Sequence, residues 1–393
     1  MSKLQGAFIG FGNIAELGHW PSYADSTEAE IVAIMDPSPK RQAAAKALNP
    51  ALRVYGTVEE MFRTEKLDFV DICTPPSMHA ELALKALAAK CHVLCEKPLT
   101  LKPSEYEALA KASAKAQRTV FTVHNWKYAP IFQKAFSLLK EGAIGPVWHV
   151  EIFTLRNNVC QGTSGGFASP SLAVPSPTGR GTGIPQGEAS PEDWRKNAAV
   201  AGGGILVDHG WHAFYLLTNL VKAEPQKILA KMLKDREDPE SLEEAVQTLV
   251  QFPEADGYVH LTWRAKMRRN NVIVQGQNGT LLIDDDRILL TTHDGNREEI
   301  KFDTALSAGS HHADWFKTLL PDFIDEIKDP FPNGGQPQQI LHMEGAAKRG
   351  ANFKEAGWCL ALTTAAYQSN LQGFKEVEVH FPGSPKPAAA LAR

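Results

Sequence analysis

Cysteine is scarce, at five residues in 393, and the five (Cys73, Cys91, Cys95, Cys160 and Cys359) form no paired ligand or redox motif. Neither a disulfide framework nor a thiolate metal site is expected. Cys91 and Cys95 flank a strand-like run and read as small buried hydrophobes. An excess of one charge is also missing: 41 basic residues stand against 45 acidic ones, a formal net charge of −4. That balance speaks against nucleic acid as the main partner, which demands a basic face. The densest basic cluster, Lys266-Met267-Arg268-Arg269, reads as a solvated turn. No apolar run approaches the roughly 20 residues that span a bilayer, so no membrane partner is expected. The N-terminus enters a strand-like run at once (Ala7-Phe8-Ile9), without a charged leader before a cleavable apolar segment, and the cytoplasm is the expected compartment. Walker loops and Gly-x-Ser-x-Gly elbows are absent. His209-x-x-His212 and His311-His312-x-Asp314 find no third ligand cluster, so no metal site is expected.

What is present is ordinary globular material, 43% hydrophobic and 22% charged, in a chain long enough for two or three domains. The first stretch alternates short apolar runs with amphipathic segments, the pattern of βαβ units around a parallel sheet. Ala7–Gly10, Ile31–Met35, Phe69–Cys73, His92–Cys95 and Thr119–Val123 read as strands, with helices over Ala80–Ala89 and Glu105–Ala116. These strands are continuously apolar, as strands buried on both faces are. Beyond about Asn125 the pattern changes. Val147–Leu155, Gln247–Phe252, Gly257–Trp263, Val272–Gln275 and Thr280–Ile283 read as longer strands with hairpin turns at Asn278-Gly279 and Asp294-Gly295. Helices are expected over Ile205–Val221, His311–Lys328 and Phe353–Ser369. The expected fold is thus α/β followed by α+β: βαβ units around a parallel sheet over 1–124, then an α+β domain with a largely antiparallel sheet over 125–382. A Gly/Ser/Pro-rich loop at 157–190, read either as a site or subunit-contacting loop or as a mobile insertion, and a flexible tail at 383–393 complete the organisation.

Gly10-Phe11-Gly12-Asn13-Ile14-Ala15 follows the first strand and opens a helix, the G-x-G-x-x-A form of the dinucleotide fingerprint. Gly10 permits the tight turn, Gly12 lets the backbone approach a pyrophosphate, and Ala15 keeps helix and strand close. Asn13 and Ile14 start the helix whose free N–H groups suit an anion. Asp36, ending the second strand, suits the adenosine ribose hydroxyls and favours NAD, while Lys40 and Arg41 just behind it leave NADP open.

An ordered set of motifs over about residues 4–330 resembles the glucose–fructose oxidoreductase, inositol dehydrogenase and rhizopine-catabolism (Gfo/Idh/MocA) oxidoreductases. The motifs are GFGNIA (10–15), MDP (35–37), TPPSMH (74–79), HVLCEKPL (92–99), HNWKYAP (124–130) and GGGILVDHGWH (202–212). The resemblance implies a Rossmann NAD(P)-binding domain over 1–124 and an α+β substrate and oligomerisation domain with a large, mostly antiparallel open sheet over 125–382. It implies too that Thr74, Pro75, His79, Glu96 and Lys97 border the cofactor, and that Lys97–Pro98 is a cis peptide. It also implies that Lys97, Asp208 and His212 carry the chemistry, and that Asn125, Lys127 and Tyr128 contact substrate. Trp126 and Trp211 adjoin these motifs and are candidate platforms for a sugar ring.

Read from the residues alone, Asp208 and His212 stand four apart on one helix face, the spacing of an acid that orients an imidazole base. Together with the resemblance, this implies hydride transfer between a nicotinamide and a carbinol or carbonyl carbon of a sugar, cyclitol or sugar derivative. His212, oriented by Asp208, would exchange the hydroxyl proton, and Lys97 would stabilise charge on the same oxygen. Two alternatives stay open: an NAD-dependent glycoside hydrolase acting by transient oxidation, and a non-catalytic NAD(P)-binding paralogue. The expected partners are a small sugar or polyol and further copies of the chain, as a homodimer or homotetramer.

Overall fold

The structure is a computed structural model that describes residues 2–157, 194–235, 238, 241–329 and 350–384. The expected 157–190 loop beyond Asn157, and the expected tail beyond Ser384, lie outside the described residues.

Six short strands, Leu4–Ile9 (β1), Ala29–Met35 (β2), Arg53–Tyr55 (β3), Phe69–Ile72 (β4), His92–Cys95 (β5) and Val120–Thr122 (β6), pair in parallel in the order β3-β2-β1-β4-β5-β6. This is the doubly wound dinucleotide order, in which the chain reverses direction at β1 and β4 and leaves a crevice at the carboxyl ends there. The strands are apolar throughout because helices cover both faces: Phe69 and Ile72 are wholly buried. The sequence reading missed β3, which is three residues long and too short to show a period.

A nine-stranded sheet follows, built from Val147–Leu155 (β7), Lys227–Leu233 (β8), Ala245–Gln251 (β9), Asp256–Thr262 (β10), Arg269–Gly276 (β11), Gly279–Asp284 (β12), Arg287–Thr292 (β13), Arg297–Lys301 (β14) and Val377–Glu378 (β15). Its order is β14-β13-β12-β11-β7-β10-β9-β8-β15, antiparallel everywhere except between β7 and β10. Alternate residues Val150, Ile152 and Thr154 of β7 are buried, and this face packs against the Trp211–Val221 helix. The opposite face stays partly open, with Leu249 about half exposed.

Two late helices return to the first sheet. Ala313–Lys328 lays Phe316 and Phe323 against Tyr23, Phe69 and Phe121. The helix Ala351–Leu371 runs from β6 to β8, and the Asn352 side chain bonds the free edge of β6, accepting from the Thr122 N–H at 2.6 Å and donating to its carbonyl at 2.9 Å. Among the described residues no helix is long and apolar enough to cross a membrane.

Candidate active site

At the end of β1, Gly10 adopts φ +85°, and a Cβ there would fall 2.9 Å from Thr74 Cγ2 and 3.0 Å from the Cys73 carbonyl oxygen. Gly12 differs: a Cβ built on it meets nothing within 4 Å, so this stretch of backbone faces open space. Ala15 is fully buried against the core. The helix that starts at Ile14 opens as a π-helical turn, Ile14–His19, before continuing as Trp20–Asp25. Asp36 is fixed over this loop, accepting from the Phe11 N–H at 2.8 Å and the Ser38 N–H at 2.9 Å. Each carboxylate oxygen keeps a second lone pair for a ribose hydroxyl. Arg41 is drawn back onto the loop by Asn13 Oδ1 at 2.8 Å and Glu16.

The ends of β4 and β5 lie beside it. Thr74 Oγ1 is buried without a partner next to Gly10, and Pro75 is partly exposed on the same rim. The Lys97–Pro98 bond is cis. His79, expected to border the cofactor, instead lies wholly inside, with Nδ1 2.7 Å from the Pro98 oxygen and Nε2 2.8 Å from the Thr74 oxygen. It opens its helix from beneath the two strand ends, so it laces their loops together and has no ring edge left for a ligand. Glu96 also faces inward, accepting from the Lys97 N–H at 3.0 Å and lying 3.2 Å from His19 Nε2. His19 bridges Glu96 to Asp71, 2.9 Å from its Nδ1, and stacks on Phe316; Tyr23 donates to the same Asp71 oxygen. Burial opposes the charge on His19, but Asp71 and Glu96 outweigh it and lift the imidazole to about 9. No motif in the sequence had marked His19 or Asp71.

Across the crevice, Lys97 Nζ donates to the Asp208 carbonyl at 2.8 Å and to its Oδ1 at 2.9 Å. His209 Nδ1 lies 3.1 Å from the other carboxylate oxygen. Burial would raise the Asp208 carboxyl, but the Lys97 ammonium and His209 hold it well below the usual carboxylate range. The expected Asp208–His212 hydrogen bond is not formed. Leu206–Gly210 is a π-helical turn rather than α-helix, and Lys97 and His209 take both carboxylate oxygens. His212 Nδ1 instead meets the Tyr215 hydroxyl at 2.7 Å, one turn on. His212 is 9% exposed, and its burial, with Lys97 and His209 nearby, pushes its pKa well below that of free imidazole. The triple glycine ahead of this turn brings the backbone against the chain itself: Glu243 accepts from Gly204, Leu206 and Tyr367.

The expected substrate segment is divided by the structure. Asn125 Oδ1 is buried and unpartnered, and Trp126 stacks on His212 with ring centroids 5.2 Å apart. Lys127 is held by Glu355, at 3.0 Å to each carboxylate oxygen. Tyr128 points away from the crevice and donates to Asp322 at 2.8 Å, and Trp211 is buried with its Nε1 donating to His124 Nε2 at 3.0 Å. Both lie on helical turns whose inward side faces the core, so the Tyr128 hydroxyl is spent on Asp322 rather than on a substrate, and Trp211 is no platform for a sugar ring. Sequence reasoning missed Asn270: it lines a small cavity with Trp126, His209 and His212, and its buried Nδ2 has no partner. Asn270 Oδ1 accepts from Arg156 at 3.1 Å.

Residues 4–124 match the model of an oxidoreductase family with an NAD-binding Rossmann fold (GFO_IDH_MocA), and residues 178–282 match the GFO/IDH/MocA C-terminal domain. The chain belongs to the Gfo/Idh/MocA oxidoreductase family. Among its relatives, D-apiose dehydrogenase of Paraburkholderia graminis is 32% identical over 149 residues, 38% of this chain and 40% of that protein. The chain thus matches less than half the length of that relative. Myo-inositol 2-dehydrogenase of Thermotoga maritima is 24% identical over 348 residues, 86% of this chain and 90% of that protein. Levoglucosan dehydrogenase, solved with NADH and levoglucosan, shares the fold at a TM-score of 0.72 and 18% identity, covering 96% of this chain and 100% of that one.

Proposed function

We propose that this family member is an NAD-dependent oxidoreductase acting on a carbinol or carbonyl carbon of a sugar, cyclitol or related polyol. The observation that carries the reading is one continuous edge: the open backbone at Gly12, the unpartnered Thr74 Oγ1 and the Lys97 ammonium, opposite the His212–Trp126 wall. The edge fits a dinucleotide, with the pyrophosphate against Gly12 and the helix start at Asn13 and Ile14, the ribose hydroxyls on Asp36, and the nicotinamide toward Thr74, Pro75 and Lys97. When bound, that nicotinamide supplies the hydride acceptor or donor.

The protein's own groups do the rest. Lys97, pinned by Asp208, faces the substrate oxygen and stabilises negative charge on it. His212 approaches the same oxygen, and Trp126 backs its ring. Asn125 Oδ1 and Asn270 Nδ2, an acceptor and a donor without partners of their own, suit neighbouring substrate hydroxyls. The named activities of D-apiose and myo-inositol 2-dehydrogenases are of the same kind. Residues 1–124 are the proposed dinucleotide unit and 125–382 the substrate unit. The partly open face carrying Phe153, Tyr258 and Leu249 suits a second copy of the chain.

A melting titration with NAD, NADH, NADP and NADPH tests the reading. A dinucleotide at 100 times its dissociation constant adds about 2.7 kcal/mol of stability. Stabilisation by NAD and NADH alone is the expected result. An unresponsive protein whose denatured supernatant holds no dinucleotide overturns the proposal.

A further inference from the structure

The Tyr215 hydroxyl and His212 Nδ1 stand 2.7 Å apart, a distance that holds one hydrogen. Either group could supply it. Tyr215 is fully buried, and burial keeps its phenol protonated, well above the ordinary range. The Trp126 N–H already donates to the same oxygen at 3.1 Å. Among the described residues no other acceptor takes the Tyr215 hydrogen; the nearest amide oxygen in sequence to Trp126, Asn125 Oδ1, has no partner at all. A proton on His212 Nδ1 would therefore leave a phenol hydrogen unmade in the interior, which folded proteins avoid. With the phenol as donor, the Tyr215 hydrogen is used, and the Nε2–H of His212, which bonds no protein group among the described residues, is left for a ligand. The imidazole cannot escape the choice by charging, since burial, Lys97 and His209 all keep it neutral.

We propose that Tyr215 fixes His212 as the Nε2–H tautomer, so that His212 meets the substrate oxygen as a neutral hydrogen-bond donor while Lys97 carries the exchanged proton. Tyr215 is thus a positioning residue. The division of labour rests on the oxidoreductase reading above; the tautomer does not. A neutral imidazole already protonated at Nε2 has no lone pair there to take a hydroxyl proton. Lys97 does have the means: an ammonium holds three hydrogens, and Asp208 uses two of them, leaving one for the crevice. In reduction the carbonyl carbon gains a hydride from the reduced nicotinamide, its C–O π pair moves to oxygen, and that oxygen takes a proton from Lys97 Nζ. Lys97 is left as the neutral amine beside Asp208 and regains a proton from water. In oxidation Lys97 first gives one ammonium hydrogen to water, and the resulting amine takes the hydroxyl proton as the carbinol carbon gives its hydride to the oxidised nicotinamide. His212 Nε2–H holds the oxygen in both directions and is regenerated unchanged.

The tautomer can be read from the full-length protein labelled with ¹⁵N-histidine, by long-range ¹H–¹⁵N spectra, with His212 assigned by the signal lost in His212→Gln. A protonated Nε2 and a bare Nδ1 are expected, and Tyr215→Phe should return His212 to a mixture of tautomers. A protonated Nδ1 in the unmodified protein overturns the proposal. No turnover is needed, so a failed oxidoreductase reading and a wrong tautomer are told apart. Turnover supplies the second readout. His212→Gln keeps an N–H donor but no titratable base, so it should retain kcat within about tenfold, whereas His212→Leu should lose about 100-fold or more. Equal losses in the two variants would identify His212 as the proton carrier and sink the assignment to Lys97.

Discussion

Lys97 reaches Asp208 from the end of β5 and ties the two halves of the crevice through one ammonium. Lys97→Met should lower kcat by about 1,000-fold or more while leaving the NAD-induced melting shift intact, since the methionine fills the same space without a charge to place on the substrate oxygen. Loss of both together would mean that the residue is needed to hold the crevice, not to act in it. His19 supports a pH prediction. Its folded pKa of about 9 lies above the ordinary 6.5 of a free imidazole, so its stabilisation is complete below about pH 6.5 and fades as pH rises through 9. Compared with His19→Gln, the unmodified protein should hold an advantage of order 3 kcal/mol at pH 6, largely gone by pH 10, as urea midpoints at the two pH values would show. At this scale the sequence revealed the residue types better than their partners. Lys97, Asp208 and His212 do meet around one crevice. The Asp208–His212 bond was misread because spacing on an ideal helix says nothing of a lysine arriving from another strand. His19, Asp71 and Asn270 were invisible, since their significance lies in contacts that sequence neighbours do not report.

The element after β1 can be tested at its two glycines. Gly10→Ala forces a side chain into a positive-φ turn and against Thr74 and the Cys73 carbonyl, and should destabilise the fold by about 1–3 kcal/mol. Gly12→Ala meets no atom within 4 Å, so its urea midpoint should stay within about 0.5 kcal/mol of the parent while dinucleotide binding weakens sharply. The pair separates a glycine needed by the chain from one needed by the ligand. The buried parallel strands were legible because both faces demand apolar residues. The outer strand β14, Arg-Glu-Glu-Ile-Lys, was not, because an exposed edge carries no hydrophobic signature. The two π-helical turns, at Ile14–His19 and Leu206–Gly210, escaped for a similar reason: apolar spacing cannot register one extra residue in a turn.

For the molecule as a whole, the junction at β6 matters most. Asn352 treats Thr122 as a strand would, satisfying its N–H and its carbonyl together. Asn352→Ala leaves both groups buried and unpaired and should cost about 2–4 kcal/mol, measurable as a lower melting temperature; a loss under 0.5 kcal/mol would mean that water replaces the amide freely. The helix Ala313–Lys328 makes the same point from the other side, for Ser22 donates to the Ala313 carbonyl, 291 residues further along the chain. Such separations have a consequence for how the protein is made. While the ribosome is still working, the nascent nucleotide-binding half emerges first, yet Tyr23, Phe69 and Phe121 remain a bare aromatic face until Phe316 and Phe323 leave the exit tunnel. That half must therefore wait, incomplete and adhesive, through most of translation, and its final closure is a slow, long-range event.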